Sequence, residues 1–323
     1  LGVAALALAH RPLGSSGIEV SAVSLGSWLT FEHMGRDDGL GVMHAARDFG
    51  IDFLDDARYD DRTGRAPIPT GYSEVVFGEL FRAAGWRRDA VVVANKLWLE
   101  FWPQESVAAE LDASLGRMGF DYLDLAYCAP PPDGCDVGEL VVQLGSLIAA
   151  GKLRAWGVLN WPADVMSSAA RLARAQGVPP PCAAQLAYSL AARTPVEDLA
   201  VVAALDDAGA RVVASAALAG GALSGKYARD QPHGRLAARL SSPSVAHAVR
   251  VGGLLAARAS ELGVAPATLA IAFALANERV ASVLFGATTP TQVAENVAAV
   301  ELSARLDPSV LDDLRHLDAT EGP

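Results

Sequence analysis

Asp55 and Lys96 each stand at or near the end of a short apolar run. Asp56, Asn160, Gln185 and Ser215 hold comparable places in or beside other runs. A run of that kind is buried along most of its length, so polar residues gathered at run ends mark one wet edge of the fold. A carboxylate beside an ammonium either forms a proton relay or a structural ion pair. The two amides, Asn160 and Gln185, each offer a donor and an acceptor, which can satisfy buried backbone groups that need partners. Cys128, Cys135 and Cys182 show no CxxC spacing, so neither a zinc site nor a disulfide framework is signalled. They read as packing residues of a reducing compartment, with a Cys128–Cys135 pair as the alternative.

The elements that must position these groups follow from the apolar pattern. Runs rich in Val, Leu and Ala lie at 20–27, 53–57, 90–96, 122–128, 154–160, 182–188, 211–217 and 280–287. Longer Ala-rich stretches with helical start signals separate them. Asp37 and Asp38 precede 39–49, Ser73 precedes 74–84, and Pro162 opens 163–175. Strands apolar on both faces belong to a parallel sheet. Eight strand–helix alternations predict a closed (β/α)8 TIM barrel in one domain over 11–323, after a lead-in at 1–10. The seventh unit is longer. A Gly-rich loop at 219–225 and a polar stretch to 244 lead to helices at 245–262 and 266–277, and a last helix spans 308–317. In such a barrel chemistry belongs at the C-terminal strand ends.

The bulk properties narrow the partners. The chain has 323 residues and a formal net charge of −11, which repels nucleic acid and anionic lipid. An anionic cofactor then needs a local basic pocket. The apolar start, residues 1–10, is short and has no basic residue before it. It reads as a lead-in, with a clipped signal-peptide remnant as the alternative. No other stretch approaches the roughly 20 apolar residues of a membrane span. The expectation is a cytoplasmic protein acting on a small molecule, without a metal.

Seven ordered segments resemble the aldo-keto reductases. They are Arg11-Pro-Leu-Gly-Ser-Ser-Gly-Ile-Glu-Val-Ser-Ala-Val-Ser-Leu-Gly-Ser-Trp28, Gly50-Ile-Asp-Phe-Leu-Asp-Asp-Ala57, Val91-Val-Val-Ala-Asn-Lys96 and Ser114-Leu-Gly-Arg-Met-Gly-Phe-Asp-Tyr-Leu-Asp-Leu125, followed by Gly151-Lys-Leu-Arg-Ala-Trp-Gly-Val-Leu-Asn-Trp161, Leu218-Ala-Gly-Gly-Ala-Leu-Ser-Gly-Lys-Tyr227 and Gly286-Ala-Thr-Thr-Pro-Thr-Gln-Val-Ala-Glu-Asn296. The style is similar to the branch that includes potassium-channel beta subunits and bacterial reductases. The resemblance implies NADP(H) lying extended across the barrel mouth.

On this resemblance Asn160 and Gln185 hydrogen-bond the nicotinamide carboxamide, and Ser27 and Trp28 flank the same end. Leu218 and Gly220 belong to a loop whose glycines let backbone approach the pyrophosphate. Gly286 and Thr288 lead into a helix near Thr289–Pro290, whose N-terminus favours the adenosine 2′-phosphate. Lys226 and Arg235 add positive charge, while Gln292, Glu295 and Asn296 face the adenosine. Two positions depart from the pattern. Leu159 stands where the family has a carboxamide-binding Ser, and Ser215 stands where it has a ring stacked on the nicotinamide.

The family's catalytic set is Asp, Tyr, Lys and His. Asp55 and Lys96 match. The Tyr normally lies five residues after the Asp, but residue 60 is Asp. Tyr59 is the first choice and Tyr72, before the next helix, the second. The His position is Ala129. Tyr127, on the same strand face and one layer deeper, replaces a usual aliphatic residue, and His33 and Glu32 can reach the mouth from the side. The resulting expectation is an NADPH-dependent reductase of aldehydes or ketones, slow or specialised, with Tyr59 as proton donor and Lys96 lowering its pKa. Two alternatives stay open: non-redox chemistry through Lys96 (a dehydratase, epimerase or lyase), and an NADP(H)-binding sensor subunit.

Overall fold

A computed structural model describes residues 8–228 and 236–318. Two short strands, β1 (His10–Pro12) and β2 (Glu19–Ser21), pair antiparallel as a hairpin. Eight parallel strands then close into a barrel in chain order: β3 (Val23–Gly26), β4 (Phe53–Asp55), β5 (Val92–Leu97), β6 (Leu123–Cys128), β7 (Leu153–Leu159), β8 (Ala183–Ala187), β9 (Arg211–Ser215) and β10 (Val280–Phe285), which returns to β3. The expected (β/α)8 TIM barrel is therefore the observed fold. Each of the eight apolar runs supplies one barrel strand. The run at 20–27 also supplies part of β2. The division falls at Ala22, whose N–H donates to Ala9 rather than to the barrel, while the Ser21 hydroxyl turns to the Val23 carbonyl.

Strand alternation sorts the core into two parts. Phe53, Ala94, Leu125, Tyr127 and Val213 fill the barrel, and Leu13, Ile18 and Val20 of the hairpin segment plug its N-terminal end. Arg11 closes that end by donating to the carbonyls of Leu275 (3.0 Å) and Val280 (2.7 Å). The opposite strand faces pack against α1 (Arg36–Asp48), α2 (Tyr72–Ala83), α3 (Val107–Met118), α4 (Val137–Ala149), α5 (Ala163–Ala175), the short α6 (Thr194–Glu197), α7 (Leu199–Ala208), α8 (Pro243–Glu261), α9 (Pro266–Leu275), α10 (Pro290–Ser303) and α11 (Pro308–Arg315). Local chemistry starts several of these helices. Ser106, Asp136, Asp198, Thr289 and Asp307 each accept a backbone N–H of the first turn.

The start of α2 differs from the sequence expectation. Ser73 is not its cap. Its hydroxyl donates to the Ala57 carbonyl at 2.6 Å, tying the helix to the end of β4. The helix begins two residues earlier, at Tyr72, after Gly71 in the left-handed region at φ 77°. Among the described residues no single helix is long and apolar enough to cross a membrane. The helices α8 and α9 meet that composition only as a pair bent by 97°, and most of α9 is buried in the core.

Candidate active site

The barrel register brings Asp55 and Lys96 together. Asp55 ends β4 opposite Ala94 of β5, and Lys96 lies two residues further along the same inner face. Both side chains are buried, at 2% and 4% exposure. The Lys96 ammonium donates to Asp55 Oδ1 and, at 3.2 Å, to the Asp56 carbonyl. From β8, across the barrel, Gln185 Nε2 donates to Asp55 Oδ2 at 2.9 Å. The carboxylate is thus held from two sides. The Tyr127 ring, opposite Lys96 in the β5–β6 register, lies under the ammonium at 5.6 Å.

Tyr59 stands on the loop above this pair. Its carbonyl accepts Gly71 N–H at 2.8 Å, and an Asp60–Thr70 bridge pins the base of the loop. Its ring meets Trp98 edge-on at 6.3 Å, and Trp98 in turn donates to the Arg58 carbonyl. Burial pushes the phenol well above its ordinary value, and the charges of Asp55, Asp56, Glu32 and Glu74 push the same way. The net direction is opposite to the lowering expected from Lys96, whose ammonium is bonded to Asp55. Tyr72 opens α2 and lines the same cleft of about 500 Å³ as Tyr59, together with Glu32, His33, Asp60 and Asp61. The two tyrosines are therefore neighbours of one space. Glu32 and His33 reach it too, 3.6 Å apart, with the second Glu32 oxygen buried and unpartnered. Ala129, just beyond β6, is bound through its backbone to Leu97.

Asp56 had no assigned role in the sequence reading. The doublet Asp55-Asp56 at a strand end carried the signal, since successive residues face opposite sides of a sheet. Asp55 faces the barrel interior. Asp56 is fully buried against Ser27, whose hydroxyl donates to Oδ1, while Oδ2 has no partner. Burial drives the Asp56 carboxyl well up, with the Glu74 charge adding. The Ser27 hydroxyl, the Ala57 N–H and Lys96 oppose the rise. Glu74 is itself buried and accepts from Asn95 Nδ2 (2.9 Å) and Arg117 Nε.

The residues expected around a cofactor line the same C-terminal end. Ser27 N–H donates to the Asp55 carbonyl, and Trp28 beside it is 48% exposed. Asn160 N–H donates to the Gln185 carbonyl at 3.0 Å, so the two amide residues are backbone neighbours. Ser215 ends β9. Beyond it Leu218 precedes Gly220 and Gly221, at φ 67° and 96°. A Cβ built on Gly221 would sit 3.0 Å from Lys226 Nζ, which places that cation against the loop. Gly286 follows β10. Thr288 is clamped by Gln292, whose Oε1 accepts its N–H at 2.8 Å, and the Thr289 hydroxyl caps the helix at Gln292. Asn296 is buried one turn on, and Glu295 is exposed. Arg235 lies outside the described residues.

Backbone strain marks this end independently. Among the described residues five non-glycines have positive φ: Leu29, Leu99, Asn160, Ala216 and Ala219. Each lies one to four residues beyond the C-terminal end of a barrel strand. Such a conformation costs about 1–3 kcal/mol and clusters where a site is shaped against local preference. Among the described residues no group of three His, Cys, Asp or Glu is arranged to hold a metal.

Comparisons with known proteins agree with this geometry. The profile of the aldo/keto reductase family matches residues 22–319. A protein of Oryza sativa subsp. japonica described as "Probable voltage-gated potassium channel subunit beta" is 32% identical over 324 aligned positions, covering 94% of this chain and 95% of that protein. A protein of the same description from Arabidopsis thaliana is 30% identical, covering 95% of this chain and 96% of its own length. The chain belongs to the aldo/keto reductase family, a family of NADPH-dependent oxidoreductases.

Proposed function

We propose that this barrel reduces the carbonyl of an aldehyde or ketone with NADP(H) as cofactor. The observation that carries the reading is the buried Asp55–Lys96–Gln185 cluster at the C-terminal mouth, with the Tyr59 phenol above it. The residues present suit the cofactor. The amides of Asn160 and Gln185 fit a carboxamide, the positive-φ glycines at 220 and 221 open backbone to a pyrophosphate, and the N-terminus of α10 beside Thr288 favours a phosphate. When bound, NADPH supplies the hydride. Tyr59 holds the proton for the carbonyl oxygen, and burial, with the carboxylates around it, keeps the phenol protonated through the neutral range. Lys96 neutralises Asp55 and orders the floor of the site. A lysine serving as a Schiff-base nucleophile must present a free amine, whereas this ammonium is held by Asp55, which weighs against the non-redox alternative.

Losing an orienting group at Ala129 costs on the order of 10²–10⁴ in rate, so turnover is slow or confined to a substrate that orients itself. A second reading, an NADP(H)-binding subunit with little chemistry, is favoured by the same alanine and by the names of the two plant relatives. One experiment separates them. NADPH is titrated by fluorescence, then mixed in a stopped-flow instrument with a panel of aldehydes and ketones. Binding followed by oxidation supports the reductase. Binding without oxidation supports the subunit, and absence of binding contradicts both.

A further inference from the structure

Tyr127 is a fully buried phenol inside the barrel whose hydroxyl has no hydrogen-bond partner of ordinary geometry. Its ring sits under the Lys96 ammonium, so its place in the barrel is explained by the contact between a cation and an aromatic face. The hydroxyl is not explained in that way, since phenylalanine offers the same face without a buried polar atom to satisfy. Burial raises the proton affinity of this hydroxyl most, the Asp55 charge adds to it, and the Gln185 side chain, within hydrogen-bonding reach, opposes it. Those two are bonded to each other, Gln185 Nε2 to Asp55 Oδ2, while Asp55 Oδ1 is taken by Lys96.

The proposed function asks Gln185 to serve a second partner. Leu159 supplies no hydroxyl for a nicotinamide carboxamide, which leaves Asn160 and Gln185 to bind it. An amide that turns toward a ligand gives up its bond to Asp55, and a buried carboxylate oxygen does not stay unpaired without penalty. We propose that Tyr127 is a positioning residue for Asp55: when Gln185 turns to the carboxamide of a bound nicotinamide, the Tyr127 hydroxyl replaces it as donor to Asp55 Oδ2. The carboxylate then keeps two donors in both states, and Lys96 stays in place. This inference rests on the NADP(H) reading above.

The test is a cycle of binding measurements that needs no turnover. NADPH dissociation constants are measured by fluorescence for wild type, Tyr127→Phe, Gln185→Met and the double variant. The ligand 2′,5′-ADP, which lacks the nicotinamide, is measured on all four by calorimetry. Tyr127→Phe raises the NADPH Kd roughly tenfold, the effect of one lost donor to a buried charge. In the Gln185→Met background the same change has less than about a twofold effect, since no exchange remains to be completed. Binding of 2′,5′-ADP is unchanged, and Tyr127→Phe melts no lower than wild type without ligand. Equal NADPH affinity of wild type and Tyr127→Phe overturns the inference and leaves the function standing. Equal weakening of both ligands also overturns it, by showing general damage. Wild type that fails to bind NADPH overturns the function and the inference together. A second readout needs no change at Tyr127. The Gln185 side-chain amide signal, assigned by its loss in Gln185→Met, moves on adding NADP⁺ and stays still with 2′,5′-ADP; a signal unmoved by saturating NADP⁺ overturns the inference.

Discussion

At the scale of single residues, the site sets two cations against several carboxylates. Lys96 faces Asp55 and also acts on Asp56, and Arg117 pairs with Glu74, yet burial and the charges of Asp55, Asp56, Glu32 and Glu74 still raise the proton affinity of Tyr59. The phenol therefore stays protonated, and its raised proton affinity makes it a weaker acid, in keeping with the slow turnover proposed above. We expect Tyr59→Phe and Lys96→Met each to slow single-turnover oxidation of NADPH by about 10²–10⁴, with the cofactor Kd changed less than about threefold. Wild-type reduction shows no loss of rate from Tyr59 as pH rises through neutrality, because its phenol lies well above the ordinary 10.0. Asp56 gives a stability prediction with a definite sign. Its folded-state proton affinity exceeds that of the unfolded chain, so stability falls as pH climbs from the unfolded value through the folded one. Asp56→Asn, which cannot ionise, melts above wild type at about pH 8 by the equivalent of roughly 1 kcal/mol or more, and the gap closes near about pH 4. Thermal melts across that range check it; a gap that widens on acidification contradicts the assignment.

At the scale of elements, glycine positions separate packing from propensity. A Cβ on Gly78 of α2 would stand 2.0 Å from the Met118 carbonyl oxygen at the end of α3, so the two helices meet only because that side chain is absent. Gly78→Ala destabilises by about 1–3 kcal/mol through forced separation of the pair. Gly116 of α3 has open space around it, and Gly116→Ala stabilises by up to about 1 kcal/mol. Denaturant midpoints of the two variants measure both signs. The barrel strands were legible in the sequence because each is a short apolar run. The hairpin strand β2 was not separable from β3, since only Ala22 divides them and the turn depends on where its N–H finds a partner. The loop after β4 was legible as long and polar but not in shape. That shape comes from Asp61 accepting the N–H groups of Thr63 and Ala66 and from the Asp60–Thr70 bridge, contacts that no periodicity announces. Tyr59 and Tyr72 are alternatives in the sequence, and the loop brings both to one cleft.

At the scale of the whole molecule, closure turns residues far apart in sequence into a site. Gln185 reaches Asp55 across 130 residues only because β8 and β4 face each other over the barrel axis. Asp55, Lys96, Asn160 and Gln185 were recognisable as strand-end residues. Their bonding was not, because which amide meets which carboxylate is set by register. Strain at five residues on four strand-end loops gathers at the same mouth, where a ligand's binding energy can offset it. NADPH at a hundredfold excess over its Kd stabilises the barrel by about 2.7 kcal/mol, or roughly 4 °C in Tm for a chain of this size. A scan with and without cofactor checks this, and an unchanged Tm at that excess counts against binding to the folded state. The most direct test is a crystal structure of the chain with NADP⁺. The account predicts the nicotinamide at the C-terminal mouth, its carboxamide within hydrogen-bonding distance of Asn160 and Gln185 and its ring beside Tyr59. A dinucleotide bound at the hairpin end of the barrel, or a nicotinamide away from those residues, would contradict it.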